Sequence, residues 1–260
     1  MNKNYLIAVC DILGFSKLFD DEKNSLDIIT DRYVGYLKRS LMHTIYKDFF
    51  PDNIPTLEKV RRNSDIGIAW FSDTILLYTK EDTNEQCKTL LQNIGWLIFE
   101  NMSTPHNATR LRVGISYGEA FIDEKNETFL GQPIVEAYKL ENKQKWSGGA
   151  LTKKAEERFG NYLASLNPVE SWVVPYDVPV GDNTTEKLLA INWTNGIHNN
   201  TMKDFYWRND RHEPCQNEYI EHADVIEKWK NTKEFHKNNC RHCFPKLNSK
   251  RLIKPPGKFW

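Results

Sequence analysis

Apolar and polar positions alternate with changing period along the first part of the chain, and the period predicts the elements. Residues 5–11 form an apolar run that leads into a glycine-containing turn, which is typical of a buried strand. Residues 26–50 and 84–102 instead repeat their apolar positions every three to four residues. That spacing predicts two amphipathic helices.

Two further strand regions follow the helical ones. Residues 66–79 are apolar on both sides of Ser72 and Asp73, which predicts two strands joined by a tight hairpin turn. Residues 111–117 alternate with a period of two, and residues 120–123 continue the alternation.

The segments between the strands complete the expected order. Pro51 and Pro55 end the first helix, and the polar stretch with Arg61 and Arg62 is expected to be a loop. Pro133 begins a helix, because proline suits a first helical turn. The core order is therefore β-α-β-β-α-β, followed by a further strand and helix. This is the ferredoxin-like pattern of an α+β fold with an antiparallel sheet.

The regular pattern of apolar and polar positions ends at about residue 165, and prolines and tryptophans become frequent after it. We therefore expect one domain over residues 1–164 and an extension over residues 165–260 that packs on it. Residues 188–193 are expected to add one strand, and residues 222–236 to form a helix.

Composition and charge narrow the class of protein. The 260 residues carry 35 Lys and Arg against 35 Asp and Glu, so the formal net charge is zero. Nucleic-acid and membrane-surface binding normally show a basic surplus, and neither is expected here. No stretch has the length of a membrane span, and an odd total of 5 cysteines disfavours a disulfide framework. These features predict a soluble, cytoplasmic protein.

Two aspartates interrupt apolar strands and carry the candidate chemistry. Asp11 lies at the exit of the first strand, and Asp73 lies in the predicted hairpin turn. If the two strands are neighbours, both carboxylates lie at the same edge of the sheet. Paired acids beside a glycine-containing turn indicate divalent metal ions that hold a polyphosphate.

Several segments together resemble the class III nucleotidyl cyclase domain in order and spacing. The match covers roughly residues 5–160, about one domain. The segments are Asp11-Ile-Leu-Gly-Phe-Ser16, Phe71-Ser-Asp73, Leu111-Arg-Val-Gly-Ile115 with Gly118, and Gly131 leading to Leu140-Glu141.

The resemblance implies a lyase in which the 3′-hydroxyl of a nucleoside triphosphate attacks the α-phosphorus and expels pyrophosphate. Asp11 and Asp73 match the family's ligands for two divalent ions, Mn2+ or Mg2+, and the Ile12 carbonyl is a further candidate ligand. The residues that match its phosphate-binding positions are the backbone N–H groups of Gly14, Phe15 and Ser16, with Arg112 and either Lys153 or Lys154.

The chain departs from the family on the helix after Gly131. Members that make cyclic AMP or cyclic GMP carry an Asn and an Arg there, and the matching positions hold Val135 and Lys139. Lysine supplies the positive charge of the transition-state arginine without its bidentate fork. We therefore expect Lys139 to be catalytic, and the role of the missing Asn stays unassigned.

The base-reading positions differ as well. Purine-specific relatives have a Lys before the second aspartate and an acid before Gly131, where this chain has Gly67 or Ala69, and Thr128. Nearby Trp70 and Phe71 are either core residues or walls of a small pocket for a one-ring base. The Thr128 hydroxyl serves uracil or cytosine equally well.

These departures resemble the Pycsar anti-phage enzymes, which make cyclic UMP or cyclic CMP to trigger a separate effector. The resemblance favours UTP as substrate, with CTP as the alternative. It also implies a homodimer with two shared active sites, because class III sites form between subunits. Two rival hypotheses are a purine cyclase and an inactive nucleotide-binding regulator.

The C-terminal segment holds a cluster of cysteines and histidines. Cys240 and Cys243 have the two-residue gap of one half of a structural zinc site. The candidate partners are His212, Cys215, His222, His236 and His242. A second Cys-x-x-Cys pair is missing from the sequence, so a structural Zn2+ and a cysteine-bearing surface turn are both open interpretations.

Overall fold

The computed structural model describes residues 3–15, 19, 25–30, 35–45, 56–103, 110–167, 170–181, 183–196 and 223–240. The strands are β1 (Lys3–Ile12), β2 (Ile66–Phe71), β3 (Thr74–Thr79), β4 (Leu111–Asp123), β5 (Thr128–Gly131), β6 (Gly148–Leu151), β7 (Val173–Gly181) and β8 (Thr184–Ile191). The helices are α1 (Leu26–Ile29), α2 (Gly35–Ile45), α3 (Leu57–Asn63), α4 (Asn84–Ser103), α5 (Gln132–Lys143), α6 (Lys153–Ser165) and α7 (Ala223–Asn239).

The strands form one mixed, mostly antiparallel sheet in the order β2-β3-β1-β4-β6-β8-β7, and β5 pairs with the far end of β4. The segment β2-β3-β1-β4 has the neighbour relations of the ferredoxin-like motif, with β1 antiparallel to both β3 and β4. The predicted α+β class is therefore confirmed. The only parallel pair among the described strands joins β4 to β6.

The two faces of β1 bury different neighbours, because successive side chains of a strand point to opposite faces. Leu6, Ala8 and Cys10 belong to the large core, which also includes residues of α2 and α4. Tyr5, Ile7 and Val9 lie on the other face in a smaller cluster that includes Ala137 of α5. Asp11 continues this second series, so its side chain emerges on the α5 side.

Two sequence-based expectations about local structure were wrong. The polar stretch with Arg61 and Arg62 is the last turn of α3, not a loop. Thr56 caps this helix by accepting a hydrogen bond from the Lys59 N–H at 3.3 Å, and Glu58 lies in its first turn. Acidic residues at the start and basic residues at the end stabilise a short helix through its dipole.

The second error concerns β7, a strand that the prolines concealed. Pro175 and Pro179 lie within it, opposite Leu189 and Thr185 of β8. An edge strand tolerates proline because one side of it makes no ladder hydrogen bonds, and β7 is the last strand of the described sheet. The extension adds two strands where one was expected.

Beyond β8, helix α7 packs through buried aromatic side chains. Phe235 is fully buried and contacts Trp146, Tyr176 and Trp193, with ring centroids 4.8, 4.9 and 6.0 Å away.

The division of the chain at residue 164 stays a prediction. Among the described helices, none combines the length and apolarity that crossing a membrane requires.

We expect Phe235→Ala to lower the free energy of unfolding by about 3–5 kcal/mol, because it leaves a cavity among three packed rings, two of them fully buried. Urea denaturation followed by tryptophan fluorescence measures this loss. Ile226→Ala on the same helix is the control, since Ile226 is 52% exposed. Equal stability of the two variants would contradict the packing of α7 described here.

Candidate active site

The end of β1 brings two charged side chains opposite each other. Asp11 pairs in register with Thr74 of β3 on one side and with Arg112 of β4 on the other. Cross-strand partners lie close enough for their side chains to interact. The Arg112 Nη2 donates to the Asp11 Oδ2 at 3.4 Å.

Asp73 reaches the same edge through the turn between β2 and β3. Ser72 adopts a φ of 54°, the left-handed conformation that a tight hairpin requires. Asp73 then directly precedes Thr74, the register partner of Asp11. The charge of Asp73 contributes to raising the pKa of Asp11, so the two carboxylates share one electrostatic environment.

A third acid, Glu141, comes from α5 and is buried. Helix α5 lies directly on β4 at Gly114, where an added Cβ would sit 2.0 Å from the Ala137 carbonyl oxygen and 2.6 Å from the Glu141 backbone nitrogen. Any larger residue at position 114 would push the helix away. Because Gly114 has no side chain, α5 can lie close to β4, and this closeness sets how far Glu141 reaches towards Asp11.

Arg112 joins these groups into one network. Its Nε donates to the Glu141 Oε1, and its Nη1 donates to the Gln144 carbonyl at 3.2 Å. With Asp11, the guanidinium thus contacts two carboxylates and one backbone carbonyl. Arg112 was expected to bind phosphate, and in this structure its guanidinium donates to these groups of its own chain instead.

The carboxyl groups hold their protons unusually tightly. Burial raises the pKa of Asp11 to about 6, with the charge of Asp73 adding to it, against the opposing charges of Arg112 and Lys228. Burial likewise raises the pKa of Glu141 to about 7, although Arg112 lowers it. At both groups desolvation outweighs the single guanidinium. The charge of Asp73 raises both pKa values further, and the charge of Asp11 also raises that of Glu141.

The chemistry of this acid cluster suits a hard divalent cation. Asp11 and Asp73 offer carboxylate oxygens, and the Ile12 carbonyl follows directly. Among the described residues, however, no group of three His, Cys, Asp or Glu side chains could hold a metal ion by itself. In general, Mg2+ in nucleotide sites is held by one or two carboxylates together with substrate phosphates.

The turn after β1 is only partly as expected. Gly14 has a φ of 77°, and an added Cβ would meet no atom of the described residues within 4 Å. The Phe15 N–H donates to the Ile12 carbonyl at 3.2 Å, closing the turn. It was expected to face phosphate, but in this conformation it is used internally. Ser16 lies outside the described residues.

The remaining predicted residues do not join the acid cluster within one chain. Thr128 pairs with Asp123, eleven residues from Arg112, or roughly 35 Å along β4. Lys139 is exposed on α5 and lies two residues, or about 200° around the helix, from Glu141. The Lys153 Nζ donates to the Glu156 Oε2 at 3.0 Å and to the Lys187 carbonyl at 3.1 Å.

Two residues that the structure adds to the site are Glu141 and Lys228. Glu141 was noted in the sequence only as part of a resemblance; its burial depends on the Gly114 contact, which is invisible without coordinates. Lys228 belongs to α7, more than 200 residues from Asp11, and no local pattern connects them.

The tail cysteines remain unassigned. Cys240 and His236 are buried, and the His236 ring stacks on Trp193 with centroids 5.6 Å apart. Cys243 and the other candidate ligands, His212, Cys215, His222 and His242, lie outside the described residues. The structural zinc site stays a prediction.

Comparison with known proteins returned structures only: no family model and no curated protein matches the chain. The solved structures that it resembles are adenylyl and guanylyl cyclase domains. The guanylate cyclase domain of RhGC from Catenaria anguillulae, in complex with GTP, is 10% identical with a TM-score of 0.45; the match covers 74% of this chain and 97% of that one.

Two further structures show the same level of likeness. The adenylyl cyclase CyaB from P. aeruginosa is 12% identical, with a TM-score of 0.44 and coverage of 74% of this chain and 94% of that one. The catalytic core of a rhodopsin-guanylyl cyclase with converted specificity, in complex with ATPalphaS, is 11% identical, with a TM-score of 0.47 and coverage of 74% and 96%. Likeness at this level is too weak to transfer an activity.

We expect Asp11→Asn to stabilise the metal-free protein at pH 8, by on the order of 1 kcal/mol after solvent screening. The folded pKa of Asp11, about 6, lies above its ordinary value of 3.8. The folded state therefore binds more protons in this window, and its stability falls as the pH rises from about 4 to 7.

Urea denaturation at pH 4 and pH 8 tests this. The control is Asp177→Asn, which changes an exposed residue of β7. The advantage of Asp11→Asn should shrink at pH 4, where Asp11 is protonated in the folded state and only partly ionised in the unfolded state. If wild type and Asp11→Asn differ equally in free energy of unfolding at the two pH values, burial and Asp73 do not raise the pKa of Asp11.

Proposed function

We propose that this protein is a nucleotidyl cyclase that converts UTP to 3′,5′-cyclic UMP and pyrophosphate. The observation that carries the proposal is the meeting of Asp11 and Glu141 around Arg112 at one sheet edge, where the charge of Asp73 raises the pKa of both acids. An ion pair with a purely structural role rarely has further acids nearby, because each added negative charge makes the buried carboxylates harder to ionise. A site that receives cations and phosphate does, because the ligands must be anionic.

The reaction requires a charge-stabilising site more than a reactive side chain. The 3′-hydroxyl oxygen bonds to the α-phosphorus, the bond from that phosphorus to the bridging oxygen breaks, and pyrophosphate leaves while the hydroxyl proton passes to solvent. Two divalent ions, Mg2+ or Mn2+, held by Asp11, Asp73 and the Ile12 carbonyl, would neutralise charge on the attacking and leaving oxygens.

The chain's own residues position the substrate around that charge. Because Gly14 has no side chain, phosphate oxygens could approach the backbone of the turn after β1 closely. Arg112 faces the same edge, and an arriving phosphate competes with Asp11 and Glu141 for its guanidinium donors. Glu141 holds the guanidinium plane in place from the α5 side.

A second subunit would complete the site. Thr128 and Lys139 lie away from the acids of their own chain, so a homodimer can supply them from the partner. The β4–β5 hairpin and α5 also expose apolar side chains that a partner would cover. These side chains are Phe121, Leu130, Val135 and Tyr138, with Leu130 62% and Tyr138 55% exposed.

The preference for a pyrimidine rests on the packing around β2. An added Cβ at Gly67 would lie 2.0 Å from the Tyr78 ring, so that ring fills the space over the strand. Ala69 is fully buried, and Phe71 contacts Phe129 with centroids 5.7 Å apart. A base site bounded by these rings would be narrow, and Gly67 and Ala69 stand where purine-specific relatives are expected to have their lysine, so such a site would suit a one-ring base.

UTP is favoured, and CTP is the alternative, because the Thr128 hydroxyl both donates and accepts. We further propose that the product is a signal in bacterial anti-phage defence, acting through a separate effector that senses the cyclic nucleotide. A nucleotide-binding regulator without turnover is the second candidate function. The observation in its favour is Val135, an exposed apolar residue where related enzymes have a ribose-binding Asn.

Incubating the protein with Mn2+ and each of the four nucleoside triphosphates, followed by mass analysis, tests the activity and its substrate. We expect one pyrimidine nucleotide to be cyclised, with UTP preferred, and Asp73→Ala to reduce turnover at least a hundredfold. Glu81→Ala, which removes an exposed acid just beyond the other end of β3, should leave turnover unchanged.

Product from ATP or GTP alone would overturn the pocket assignment while leaving a cyclase. Nucleotide binding without any cyclic product would favour the regulatory function. Equal loss in Asp73→Ala and Glu81→Ala would remove Asp73 from the site.

A complementation experiment tests the shared site. Asp73→Ala and Lys139→Ala should each be inactive alone, but mixed after subunit exchange they should recover about a quarter of wild-type activity. Half of the dimers are then mixed, and each mixed dimer has one intact site of two. A mixture of Asp73→Ala with Asp11→Ala is the control, since both changes affect the same half-site.

No recovery in the first mixture, with subunit exchange shown by mass, would place Lys139 and Asp73 in one subunit or remove Lys139 from catalysis. Recovery in the control mixture would separate Asp11 from Asp73.

A further inference from the structure

The connection between α5 and β6, residues 144–147, supplies the backbone oxygen that Arg112 contacts. The Gln144 carbonyl accepts from the Arg112 Nη1 at 3.2 Å. Because an arginine side chain has many rotamers, its partners decide where the guanidinium points. Two partners of Arg112 are carboxylates, with which a bound phosphate would compete, whereas the Gln144 carbonyl is an uncharged backbone group. The position of this carbonyl therefore affects how Arg112 meets a ligand.

Strand β7 fixes the peptide unit to which that carbonyl belongs. The Gln144 carbonyl and the Lys145 N–H are parts of one peptide bond. The Lys145 N–H donates to the Pro179 carbonyl at 2.8 Å. Since a peptide unit is planar, fixing its N–H also fixes the direction of its carbonyl. Pro179 lies in β7, so a strand of the C-terminal extension takes part in orienting Arg112.

Helix α7 fixes the next two residues of the same connection. The Asn231 side chain donates to the Lys145 carbonyl at 2.8 Å. The Thr232 hydroxyl, which is fully buried, accepts from the Ser147 N–H at 2.8 Å. The Ser147 hydroxyl in turn donates to the Leu111 carbonyl at 2.9 Å, at the start of β4. These bonds join the connection to α7 at two backbone positions and to β4 at a third.

A buried side chain strengthens the same link. Gln144 is fully buried, its Nε2 donates to the Val113 carbonyl at 2.8 Å, and its Oε1 accepts from the Trp146 Nε1 at 2.7 Å. The Trp146 ring contacts Phe235 of α7, with centroids 4.8 Å apart. The carbonyls of β4 on both sides of Arg112 are therefore bonded to this connection, and the connection is packed against α7.

We propose that Asn231 and Thr232 are positioning residues for Arg112, which act through the connection between α5 and β6. In this role α7 fixes the direction from which the guanidinium meets the triphosphate of the substrate. The inference rests on the proposed function, since it concerns the ligand of the same site. It gives the helix after β8 a part in the geometry of the site, in addition to its place in the core.

Binding of inorganic tripolyphosphate in the presence of Mg2+, measured by calorimetry on the full chain, tests this without any turnover. Asn231→Leu keeps the approximate shape of the side chain and removes the donor to the Lys145 carbonyl. We expect it to weaken binding about fivefold, the effect of one ordinary hydrogen bond. Asn239→Leu is the matched control, because the half-buried Asn239 side chain donates to the Phe235 carbonyl of its own helix at 2.9 Å. It should change affinity less than about twofold.

A double-mutant cycle separates the positioning of Arg112 from a general loss of structure. Arg112→Lys keeps the positive charge and removes the Nη1 that donates to the Gln144 carbonyl. In that background Asn231→Leu should weaken binding less than about twofold, because the group that it positions is gone. A purely structural role of Asn231 would give the same loss in both backgrounds. Melting temperatures of the single and double variants establish that α7 stays docked.

Thr232 provides a second test, which decides the question if Asn231→Leu does not fold. Thr232→Val removes the acceptor for the Ser147 N–H at nearly constant volume, so it should weaken binding to a similar degree. Thr232→Ser keeps a hydroxyl and should restore wild-type affinity. Thr44→Val on α2 is the control, since the hydroxyls of Thr44 and Thr232 both donate to the carbonyl four residues earlier in their helices. It should leave the affinity unchanged.

Wild-type affinity in Asn231→Leu and Thr232→Val, or equal losses in Asn231→Leu and Asn239→Leu, would overturn the inference and leave the cyclase proposal intact. An equal loss from Asn231→Leu with and without Arg112→Lys would do the same. Failure of the wild-type protein to bind tripolyphosphate would also overturn it. A loss that depends on Arg112, without cyclic product from any nucleotide, would support the inference while refuting the cyclase activity.

Discussion

The site depends on one guanidinium that holds acids from two layers of the fold together. Arg112 extends from β4 to Asp11 on the neighbouring strand and to Glu141 on the helix above. That reach exists only because α5 rests on β4 at Gly114, where the helix backbone fills the space of a side chain. Without the contact, Glu141 would move away and Arg112 would lose its most buried partner. The electrostatics of the sheet edge thus follow from a steric condition at a single backbone position.

The arrangement lowers the stability of the fold at neutral pH. Asp11 and Glu141 would be more favourable to folding as neutral groups, and their raised pKa values measure that cost. Sites that must receive cations and phosphates commonly carry such a penalty, because a fully neutralised site would have nothing left to offer a ligand. The rest of the molecule compensates through an extensive core on the opposite face of the sheet.

Sequence reasoning succeeded where the apolar positions repeated regularly and where turn residues marked the ends of the elements. The run ending at Asp11, the hairpin around Ser72 and the alternation of β4 all appear at or near their expected positions, since each reflects burial on a known face. It failed where local signals were overridden: prolines are harmless at the edge strand β7, and a threonine cap converts the Arg61 stretch into a helix. The placement of Glu141 and Lys228 lay beyond sequence reasoning, because it depends on contacts between distant segments.

The docking of α7 also sets an order of events during synthesis. Trp229 meets Arg110 across nearly half of the chain, and such long-range contacts form late because loop closure must come first. The carboxylates of Asp11, Asp73 and Glu141 and the Arg112 guanidinium would leave the ribosome well before the helix that packs beside β4. A nascent or shortened polypeptide without α7 would therefore leave Arg110 uncovered by Trp229, so the packing beside the turn after β1 would be complete only once residue 229 has been made.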